Sequence, residues 1–500
     1  MVENLLDYSV PLDINLTISD DLAEQVYEAT DIGGYKKSRI PQLQVLLANI
    51  ISNHKTDPDL YISVSQDDGF YKSKSRYNSN NIGRSFISLV KTMADDEWLE
   101  LHRGFLDRNS GKSRRSRVKP TQRLLELLER LEALSFLVSY APNTECIILR
   151  NEDKQEIPYV DTDLKQPVIE LSDYGYTDHF VDGSVVRQNL TAYNNLLHQT
   201  LIDHPTFPAE GVKMGNDKVF KINPSDKFVR RIYNRSSFDW NGRFYGGWWQ
   251  RIPKGYREGI QLNGEVTCEI DFSSCHIVIL YALAGIDYWK ETDADPYLLD
   301  DYVLPSEQMR GLLKVVVLVA VNAESRTQAL EAIRHKINRT DRDKFSWFRD
   351  RNYNLENILD WFVEKHKPIA DRFFNPDDIS ISAIDAAVAE IIINKFTKDR
   401  IPLLAIHDSF LTNAKSEEKL RETMQEAFGV ATELRLGKRI DGTKIKFEGN
   451  NWAGYTHRLR TDRDFFIDEI ALPGYTEEGR SRIKDTEKHK SLVGIDDYYV

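Results

Sequence analysis

Cysteine is scarce in this chain, and the few cysteines present have no regular spacing. Cys146, Cys268 and Cys275 are the three cysteines among 500 residues, and no two of them form a CxxC pair. A disulfide framework or a cysteine-rich zinc site needs denser and regularly spaced cysteines. The sequence supports neither kind of site, and it favours a reducing compartment, cytoplasmic or otherwise intracellular.

The chain also has no segment typical of a membrane anchor or a secretion signal. Its longest apolar run, LLKVVVLVAV at 312–321, is too short to span a bilayer and contains Lys314. The acidic start, MVENLLDYSV, has no signal-peptide pattern. We therefore expect no membrane partner. A hydrophobic share of 41% over 500 residues is ordinary for a globular protein and suggests two to four domains.

Positive charge is in deficit, with 66 lysines and arginines against 78 acidic residues and a net charge of −12. Taken alone, this balance argues against a nucleic-acid-binding protein, which usually has a basic surface. The distribution of charge matters more than its sum, however. Residues 107–120 contain one acidic residue and six basic ones, namely Arg108, Lys112, Arg114, Arg115, Arg117 and Lys119.

The elements around this basic segment, in residues 78–140, suggest a nucleic-acid-binding module. The patterns predict a helix in NSNNIGRSFISLVKTMA, a strand in WLELHRGFLDR, a turn at NSGK, a returning strand and a helix in PTQRLLELLERLEAL. This order resembles part of a winged helix, in which a basic hairpin contacts phosphates. The candidate nucleic-acid-binding residues are Arg114, Arg115, Arg117 and Lys119. The alternative is a small α+β domain with a solvated basic hairpin.

Two short segments each place an aspartate at the end of a predicted strand. In EVTCEIDFSS, Asp271 lies where a strand meets the apolar helix HIVILYALAG, so its carboxylate and the Phe272 carbonyl can face a metal. In IPLLAIHDSF, Asp408 lies at the polar tip of an apolar hairpin. Mg²⁺ favours one or two carboxylates together with substrate phosphates and water. The alternatives are a helix cap at Asp271 and an ordinary turn at Asp408.

A third segment, MRGLLKVVVLVAVNA at 309–323, is predicted to be a helix with two cations on one face. Arg310 and Lys314 are one turn apart, and Asn322 lies about two turns beyond Lys314, close to the same face. A planar guanidinium and a compact ammonium on an apolar helix suit a triphosphate. The alternative is a core helix whose basic side chains extend outward to solvent.

A fourth segment, SFDWNGRFYGGWWQRIP at 237–253, combines a possible phosphate contact with a cluster of aromatics. Arg243 can bind a phosphate or a template backbone. Gly246 and Gly247 permit close approach of another backbone. Trp248 and Trp249 can stack on bases, although a buried aromatic cluster is the expected role for at least one of them.

These segments occur in an order that resembles the single-subunit RNA polymerases, of phage and mitochondrial type, and the family A DNA polymerases. The order is Asp239-x-x-Gly-Arg243, the strand aspartate, the Arg-x-x-x-Lys helix and His-Asp-Ser-Phe, and it covers residues 235–412. The resemblance implies that Asp271 and Asp408 are the catalytic metal-binding aspartates. It further implies that Arg310 and Lys314 bind the triphosphate, and that Asp239 and Arg243 lie near the template and the hybrid.

The residues that the resemblance links to choice of sugar give conflicting indications. Asn322 stands where the family usually has a tyrosine that packs by the incoming base. His276, five residues after Asp271, is bulky like the steric gate of the DNA enzymes, whereas the DxxGR and HDSF motifs favour the RNA enzymes. Asp385 and Glu390 fall on a helix expected on the template side, although Asp385 is equally explained as an acid at a helix start.

The sequence therefore predicts an α+β fold, a right-hand polymerase with an antiparallel palm sheet, helical fingers and thumb, and an N-terminal winged-helix-like module. The predicted units are an N-terminal helical region, the winged-helix-like module, a linker and thumb-like region, palm and fingers, and a C-terminal tail, at 1–77, 78–140, 141–235, 236–455 and 456–500. Two Mg²⁺ ions, or Mn²⁺ instead, are expected to assist nucleotide addition, with a DNA template and NTP or dNTP as substrates and RNA or DNA as product. The alternatives are a DNA-binding replication initiator with an inactive palm, and a template-independent nucleotidyltransferase.

Overall fold

The chain folds into a mixed α+β structure, as its sequence predicts. The computed structural model describes residues 9–33, 36–106, 113–135, 138–160, 166–172, 175–181, 183–214, 219–299, 307–351, 353–375 and 381–447. The predicted turn at 109–112 and the predicted tail at 456–500 lie outside the described residues. Within these ranges, no helix is both long enough and apolar enough to cross a membrane.

Helices are concentrated in two stretches of the chain, at either end of a region rich in strands. In chain order, the α-helices of the described residues are α1 (Asp20–Thr30), α2 (Lys36–Thr56), α3 (Arg84–Asp95), α4 (Gln122–Arg130), α5 (Gly183–Gln199), α6 (Cys275–Leu283), α7 (Tyr288–Glu291), α8 (Glu307–Asn322), α9 (Arg326–His335), α10 (Ser346–Asp350), α11 (Leu355–Lys365), α12 (Ile381–Lys398) and α13 (Glu417–Leu436). Of these, α5 lies in the region predicted to be thumb-like.

The strands are mostly short, and several pair into sheets of two to six strands. They are β1 (Ser9–Pro11), β2 (Leu16–Thr17), β3 (Tyr61–Val64), β4 (Leu99–His102), β5 (Phe105–Leu106), β6 (Ser113–Arg114), β7 (Ser116–Pro120), β8 (Ser139–Tyr140), β9 (Ile147–Leu149), β10 (Gln166–Ser172), β11 (Gly175–Val181), β12 (Ile202–Asp203), β13 (Val212–Lys213), β14 (Val219–Phe220), β15 (Val229–Tyr233), β16 (Asn241–Gly246), β17 (Gln261–Leu262), β18 (Glu265–Phe272), β19 (Leu403–Ile406), β20 (Ser409–Asn413) and β21 (Ile445–Phe447).

The N-terminal part of the chain has its own hydrophobic cluster, built from residues between Leu16 and Val138. The predicted boundary at 77/78 falls within the span of this cluster. The helix predicted in NSNNIGRSFISLVKTMA is α3, which buries Phe86, Val90 and Met93 along one face at helical spacing. The predicted returning strand and following helix are β7 and α4, and Thr121 caps α4 by accepting from the Leu124 N–H.

The sheet of this N-terminal part has the strand order β1-β3-β7-β4. Along the chain, α2 is followed by β3, a short 3₁₀ turn (Asp68–Tyr71), α3, β4 and β7. The last strand of the series therefore lies between the other two, antiparallel to both. The basic residues of 113–119 continue into β7 from β6, which pairs with β5 in a small hairpin.

A second hydrophobic cluster, between Cys146 and Ile440, surrounds the largest sheet. Its strand order is β12-β17-β18-β20-β19, with β21 on β18, and every pairing is antiparallel. Both faces of β19 are buried, which explains its continuous apolar sequence LLAI. Helix α12 packs close to β19, and α13 packs close to β18, β20 and β21. Helix α6 packs against both of these helices, and α6 and α12 are apolar on most sides.

A smaller sheet, β16-β15-β9, contains the end of the DxxGR segment. The turn that follows β16 is hydrogen-bonded to the Ala405 carbonyl of β19. Gly246 has φ 130°, and a Cβ there would lie 2.1 Å from the Phe228 carbonyl oxygen, so the predicted close backbone approach is confirmed. Trp248 and Trp249 are both 0% exposed, so the interpretation that they stack on bases is wrong. Both rings belong to the second hydrophobic cluster, and Gln250 holds the turn beside β16 and β19 by donating to the Phe244 and Ala405 carbonyls at 3.2 and 2.9 Å.

A buried ion pair joins this smaller sheet to α12. Arg231 on β15 is 1% exposed, and its Nη1 lies 2.7 Å from Oε1 of Glu390, which is 7% exposed. The Arg231 Nε donates to the Gly242 carbonyl at 2.7 Å, which ties the ion pair to the neighbouring strand. Because charges are costly to bury, each partner depends on the other.

We predict that Glu390→Ala lowers the free energy of unfolding by about 3–5 kcal/mol, because it leaves the Arg231 charge buried without its partner. Arg435 lies close enough to Arg231 for the two positive charges to repel, and the variant also removes the Glu390 charge that offsets this repulsion. Urea unfolding at neutral pH measures the change. Glu390→Gln, which keeps a hydrogen-bond acceptor, and the double variant Arg231→Met/Glu390→Leu are the matched controls. A Glu390→Ala protein as stable as the wild type would contradict the prediction.

Candidate active site

The sheet register brings Asp271 and Asp408 to the same end of neighbouring strands. In the antiparallel pair β18 and β20, Asp271 is directly opposite Ser409. Asp408 precedes Ser409 in the turn between β19 and β20, and its carbonyl accepts from the Phe272 N–H at 3.4 Å. The predicted strand at 265–272 and the predicted hairpin at 403–413 are both confirmed.

Both aspartates lie beside residues with left-handed backbone conformations. His407 has φ 60° in the turn that presents Asp408, and Ser274 has φ 60° in the turn that follows Asp271. Non-glycine residues adopt this region at a cost and are often found at functional sites. Helix α6 begins after Ser274, which is its N-cap residue, so Asp271 does not occupy the capping position that we considered for it.

Behind Asp408, three side chains from separate elements form a hydrogen-bonded cluster. Arg243 of β16 donates from Nε to Oδ2 of Asp385 at 2.8 Å, and its Nη2 lies 2.8 Å from Nε2 of His276. His276 Nε2 is 3.9 Å from the same Asp385 oxygen. Asp385 is 3% exposed and lies beyond the first turn of α12, which contains no acidic residue, so the alternative of an acid at a helix start is wrong. Its position is decided by the arginine that it binds.

The charges of this cluster shift the pKa values of both nearby carboxyl groups. Burial raises the pKa of Asp408, and the negative charge of Asp385 raises it further. Burial also opposes ionisation of Asp385, but hydrogen bonding and charge from His276 and Arg243 outweigh it and lower the pKa of Asp385. Asp385 therefore ionises more readily than Asp408, and a cation near Asp408 would relieve the repulsion between the two carboxylates.

The donor atoms at this end of the sheet suit a hard divalent cation that is shared with a substrate. Asp271 and Asp408 offer carboxylate oxygens, as Mg²⁺ prefers. The nearby Cys275 thiol is buried, which raises its pKa well above the usual value and keeps it neutral. Glu269, on the same strand as Asp271, is engaged by Arg257 at 3.0 Å and Ser409 Oγ at 2.6 Å. The Phe272 ring is buried.

The part of the chain that the structure describes contains no complete metal site built from protein alone. Among the described residues, no group of three or more His, Cys, Asp or Glu side chains is arranged to hold a metal ion. Two carboxylates fit Mg²⁺ only if phosphate oxygens and water complete its coordination, which is the usual arrangement where Mg²⁺ acts with a phosphorylated substrate.

The two cations of α8 share one aromatic platform, Tyr297. The Cζ of Arg310 lies 5.5 Å from the centre of this ring, and the Nζ of Lys314 lies 5.8 Å from it, so the predicted common face is confirmed. Asp295 accepts from the Arg310 Nε at 2.7 Å, and its other carboxylate oxygen accepts from the Tyr297 N–H at 2.8 Å. Asp295 thus binds the Nε–H of the guanidinium, whose terminal nitrogens carry N–H groups that point in other directions.

Tyr297 also lies within electrostatic range of the hairpin that presents Asp408. The ring is 5% exposed, and burial raises the pKa of Tyr297; the charges of Asp408 and Asp295 add to the rise and Arg310 opposes it. Its hydroxyl is therefore within electrostatic reach of both the aspartate end of the sheet and α8. The arrangement brings Arg310, Lys314 and Asp408 to one region of the molecule.

Hydrogen bonds from His366 and Lys365 hold the segment that contains Asp295 and Tyr297. His366 is 0% exposed, and its Nε2 lies 2.9 Å from the Pro296 carbonyl while its Nδ1 lies 3.1 Å from the Tyr281 hydroxyl. Lys365 donates to the Asp295 carbonyl at 3.0 Å and also to the Leu298 carbonyl. The end of α11 and the middle of α6 thus position this segment.

A pocket of about 380 Å³ opens between the DxxGR hairpin and α8. Arg243 and His276 line one side, and Leu318 and Asn322 line the other. The Asn322 amide donates to the Leu318 carbonyl at 2.7 Å, within its own helix. The three residues predicted from separate motifs to lie near the template, the sugar and the base, Arg243, His276 and Asn322, therefore face one space.

Other predicted residues lie outside this cluster. Asp239 is exposed in the loop between β15 and β16, where its N–H donates to Ser237 Oγ at 3.1 Å, and it does not line the pocket. The basic residues of the hairpin belong to the N-terminal cluster of the fold; these are Arg114, Arg115, Arg117 and Lys119.

For several residues of the site, the local sequence gives no indication of their role or indicates a different role. Asp295 and Tyr297 lie in ETDADPYLLDD, where a run of acidic residues suggests only a solvated acidic stretch. His366 lies on an ordinary amphipathic helix end. Asp385 stands out in the sequence, but its binding to Arg243 across 142 positions of the chain has no local signal.

Neither models of protein families nor curated protein sequences give a match to this chain. The roles of its residues therefore have to be inferred from the geometry of the site.

We predict that stability falls on acidification partly through His366. Burial lowers the pKa of His366 from 6.5 to about 4. The unfolded chain therefore binds this proton first, and stability is lost as pH falls from about 6.5 towards 4. Between pH 7 and pH 5 the wild type should lose about 2 kcal/mol more than His366→Gln, which is neutral throughout. Urea unfolding of both proteins at the two pH values measures this difference, and equal losses would show that His366 does not titrate as predicted.

Proposed function

We propose that this protein is a template-directed nucleic-acid polymerase that adds nucleotides with the help of divalent metal ions. The observation that carries the proposal is that Asp271 and Asp408 share one end of an antiparallel sheet, while Arg310 and Lys314 share the Tyr297 ring, which lies within electrostatic range of Asp408. In the proposed right-hand arrangement, the sheet of β18 and β20 is the palm. The helices between the two aspartates are the fingers, and α5 belongs to the thumb.

Each residue has a role that follows from its chemistry. Asp271 and Asp408 would hold two Mg²⁺ ions, or Mn²⁺, with the Phe272 carbonyl as a further oxygen ligand. When bound, the metals would lower the pKa of an attacking 3′-hydroxyl and neutralise charge on the triphosphate. Arg310 and Lys314 bind the phosphates and stabilise charge that develops on the leaving group.

The pocket beside the aspartates suits the base and the sugar of an incoming nucleotide. Arg243 is held by Asp385, so its guanidinium has a fixed direction before any template binds. His276 is held by the same pair and forms the wall where a ribose would lie, which makes it the proposed determinant of sugar choice. Asn322 forms the opposite wall. Whether NTP or dNTP is preferred depends on the room that His276 leaves.

The N-terminal strand and helix order supports a nucleic-acid-binding module. A helix, a strand, a helix and two strands, with the last strand paired between the other two, is the arrangement of a winged helix. In this proposal α3 enters a groove of the DNA template, and the hairpin of β5 and β6 contacts phosphates through Arg114 and Arg115. Arg117 and Lys119 lie further along β7.

We predict that Asp271→Asn and Asp408→Asn each reduce nucleotide incorporation by at least about 1000-fold, because each removes a metal-binding charge. The assay extends a primed DNA template with labelled NTPs or dNTPs in parallel, with Mg²⁺ or Mn²⁺, beside an unprimed control. Glu265→Gln, an exposed carboxylate at the other end of β18, is the matched control and should keep full activity.

The same assay separates the alternatives. Undiminished nucleotide incorporation by both aspartate variants would contradict the assignment of Asp271 and Asp408 as the metal site. Tight DNA binding by the wild type without incorporation under any metal and triphosphate would favour a replication initiator with an inactive palm. Extension of single strands without regard to template would indicate a template-independent nucleotidyltransferase.

We predict that Asp295→Ala raises the KM for the triphosphate about tenfold with little change in kcat, because Arg310 loses the carboxylate that orients it. Steady-state incorporation measures both constants, and binding of inorganic tripolyphosphate measures the same loss without chemistry. Asp295→Asn keeps an acceptor and should be intermediate. Asp293→Ala, two residues away and paired with Lys444, is the control. A KM at or below the wild-type value would mean that Asp295 competes with the triphosphate instead of orienting Arg310.

A further inference from the structure

Two exposed phenylalanines lie together with arginines on the N-terminal module. Phe70 is 47% exposed and Phe105 is 50% exposed. The other large hydrophobic side chains that the described part of the chain exposes are aliphatic, namely Val160, Val219 and Leu318. Single exposed apolar residues are ordinary on protein surfaces, but two aromatic rings beside one basic hairpin form a specific combination.

Each ring has its own arginine. The Cζ of Arg115 lies 4.3 Å from the centre of the Phe70 ring, and the Cζ of Arg114 lies 5.4 Å from that of Phe105. Arg114 is directly opposite Phe105 in the β5–β6 register. A guanidinium near the face of a ring is held there by attraction to the ring. Because Arg114 and Arg115 are consecutive, both pairs lie at the same end of the hairpin.

The rings are supported by rigid structure. Phe70 lies in the 3₁₀ turn that Asp67 caps, and it meets Tyr71 edge-on with centroids 5.3 Å apart. Tyr71 is 4% exposed and contacts the core residue Phe86 in the same way at 6.0 Å. A column of three rings therefore connects the surface to the core. Little conformational freedom would be lost by this surface on binding.

The hairpin that carries Phe105 is also closely held. The Gly104 N–H donates to Ser116 Oγ at 3.0 Å, and a Cβ at Gly104 would lie 2.2 Å from the Arg114 carbonyl oxygen. Two further basic residues, both on β7, are held by the module itself. Arg117 donates to Ser63 Oγ at 3.0 Å, and Lys119 pairs with Asp59 at 3.0 Å. Arg114 and Arg115 are therefore the hairpin charges that accompany the exposed rings.

We propose that Phe70 and Phe105, with Arg114 and Arg115, form a stacking platform for unpaired bases of a single-stranded nucleic acid. This inference rests on the nucleic-acid contact proposed above for the module, and it specifies the form of the ligand. A phenyl ring stacks on a base only if a face of that base is free, and in a duplex the neighbouring pairs cover it. The arginines contact the phosphates that join the stacked nucleotides.

The acidic residues near the platform do not oppose this assignment. Asp67 accepts from the Gly69 N–H at 3.0 Å, and Asp68 lies 3.5 Å from Arg84, whose side chain is 89% exposed. Arg84 begins α3, so it extends the basic surface away from Phe70 towards that helix. In a polymerase, such a platform would hold a displaced or incoming single strand.

Binding of labelled oligonucleotides tests the platform without any catalytic step. Fluorescence anisotropy is measured with the full-length Asp408→Asn protein, without triphosphate, over a series of salt concentrations. The probes are one mixed-sequence strand as DNA, the same strand as RNA, and a closed duplex hairpin of the DNA sequence. We expect either single strand to bind more tightly than the duplex.

The variants separate stacking from charge. Phe70→Ala/Phe105→Ala should weaken single-strand binding about tenfold at every salt concentration and leave the salt dependence unchanged, because no charge is lost. Arg114→Ala/Arg115→Ala should weaken binding and reduce the salt slope by roughly 1.4. Phe70→Tyr/Phe105→Tyr, which keeps both rings, should bind as the wild type does, and so should Val160→Ala, an exposed apolar residue outside the module.

Two results would overturn the platform: single-strand affinity that survives loss of both rings, or duplex binding that is as tight as single-strand binding. The thermal midpoint of the ring variant should equal that of the wild type, since exposed rings contribute little to folding. Loss of single-strand binding in the ring variant of a protein that shows no nucleotide incorporation would uphold the platform and reject the polymerase. Nucleotide incorporation by the wild type together with unaltered single-strand binding in the ring variant would uphold the polymerase and reject the platform.

Discussion

The register between β18 and β20 is the constraint on which the candidate site depends. With Asp271 opposite Ser409, the two aspartates of the site fall on adjacent strands at one end of the sheet. A shift of one residue would turn every side chain of a strand to the opposite face. Ile270 and Phe410 are at most 1% exposed, and that shift would exchange their apolar face with the buried polar face where Glu269 binds Arg257 and Ser409. Hydrophobic burial therefore protects the register, and the register places the carboxylates.

Two buried ion pairs join the DxxGR hairpin to α12. Arg231 and Arg243 lie on the neighbouring strands β15 and β16, and they bind Glu390 and Asp385 respectively, five positions apart on one helix. A buried ion pair adds little net stability, but it penalises any arrangement that separates the partners. Two such pairs hold helix and hairpin in one orientation, which places Arg243 and His276 at the pocket wall.

Elements with a strong local pattern could be predicted well. The strand around Asp271, the hairpin that presents Asp408 and the helix that carries Arg310 and Lys314 all occur where periodicity and apolar runs indicated them. The prediction was weaker where one sequence pattern suited two environments. Trp248 and Trp249 illustrate this, because aromatics beside glycines suit a stacking surface as well as a core, and here the core contains both.

By itself, the sequence determined which segments become strands and helices, and which side chains have the chemistry to bind metals and phosphates, because both depend on short-range pattern and residue type. Only the tertiary structure decided which of those side chains meet. Asp385 binds Arg243, Asp295 binds Arg310, and Tyr297 contacts both cations of α8 within electrostatic range of Asp408. These contacts join residues from separate elements, and electrostatic pairing and desolvation act through space, so no local pattern could reveal them.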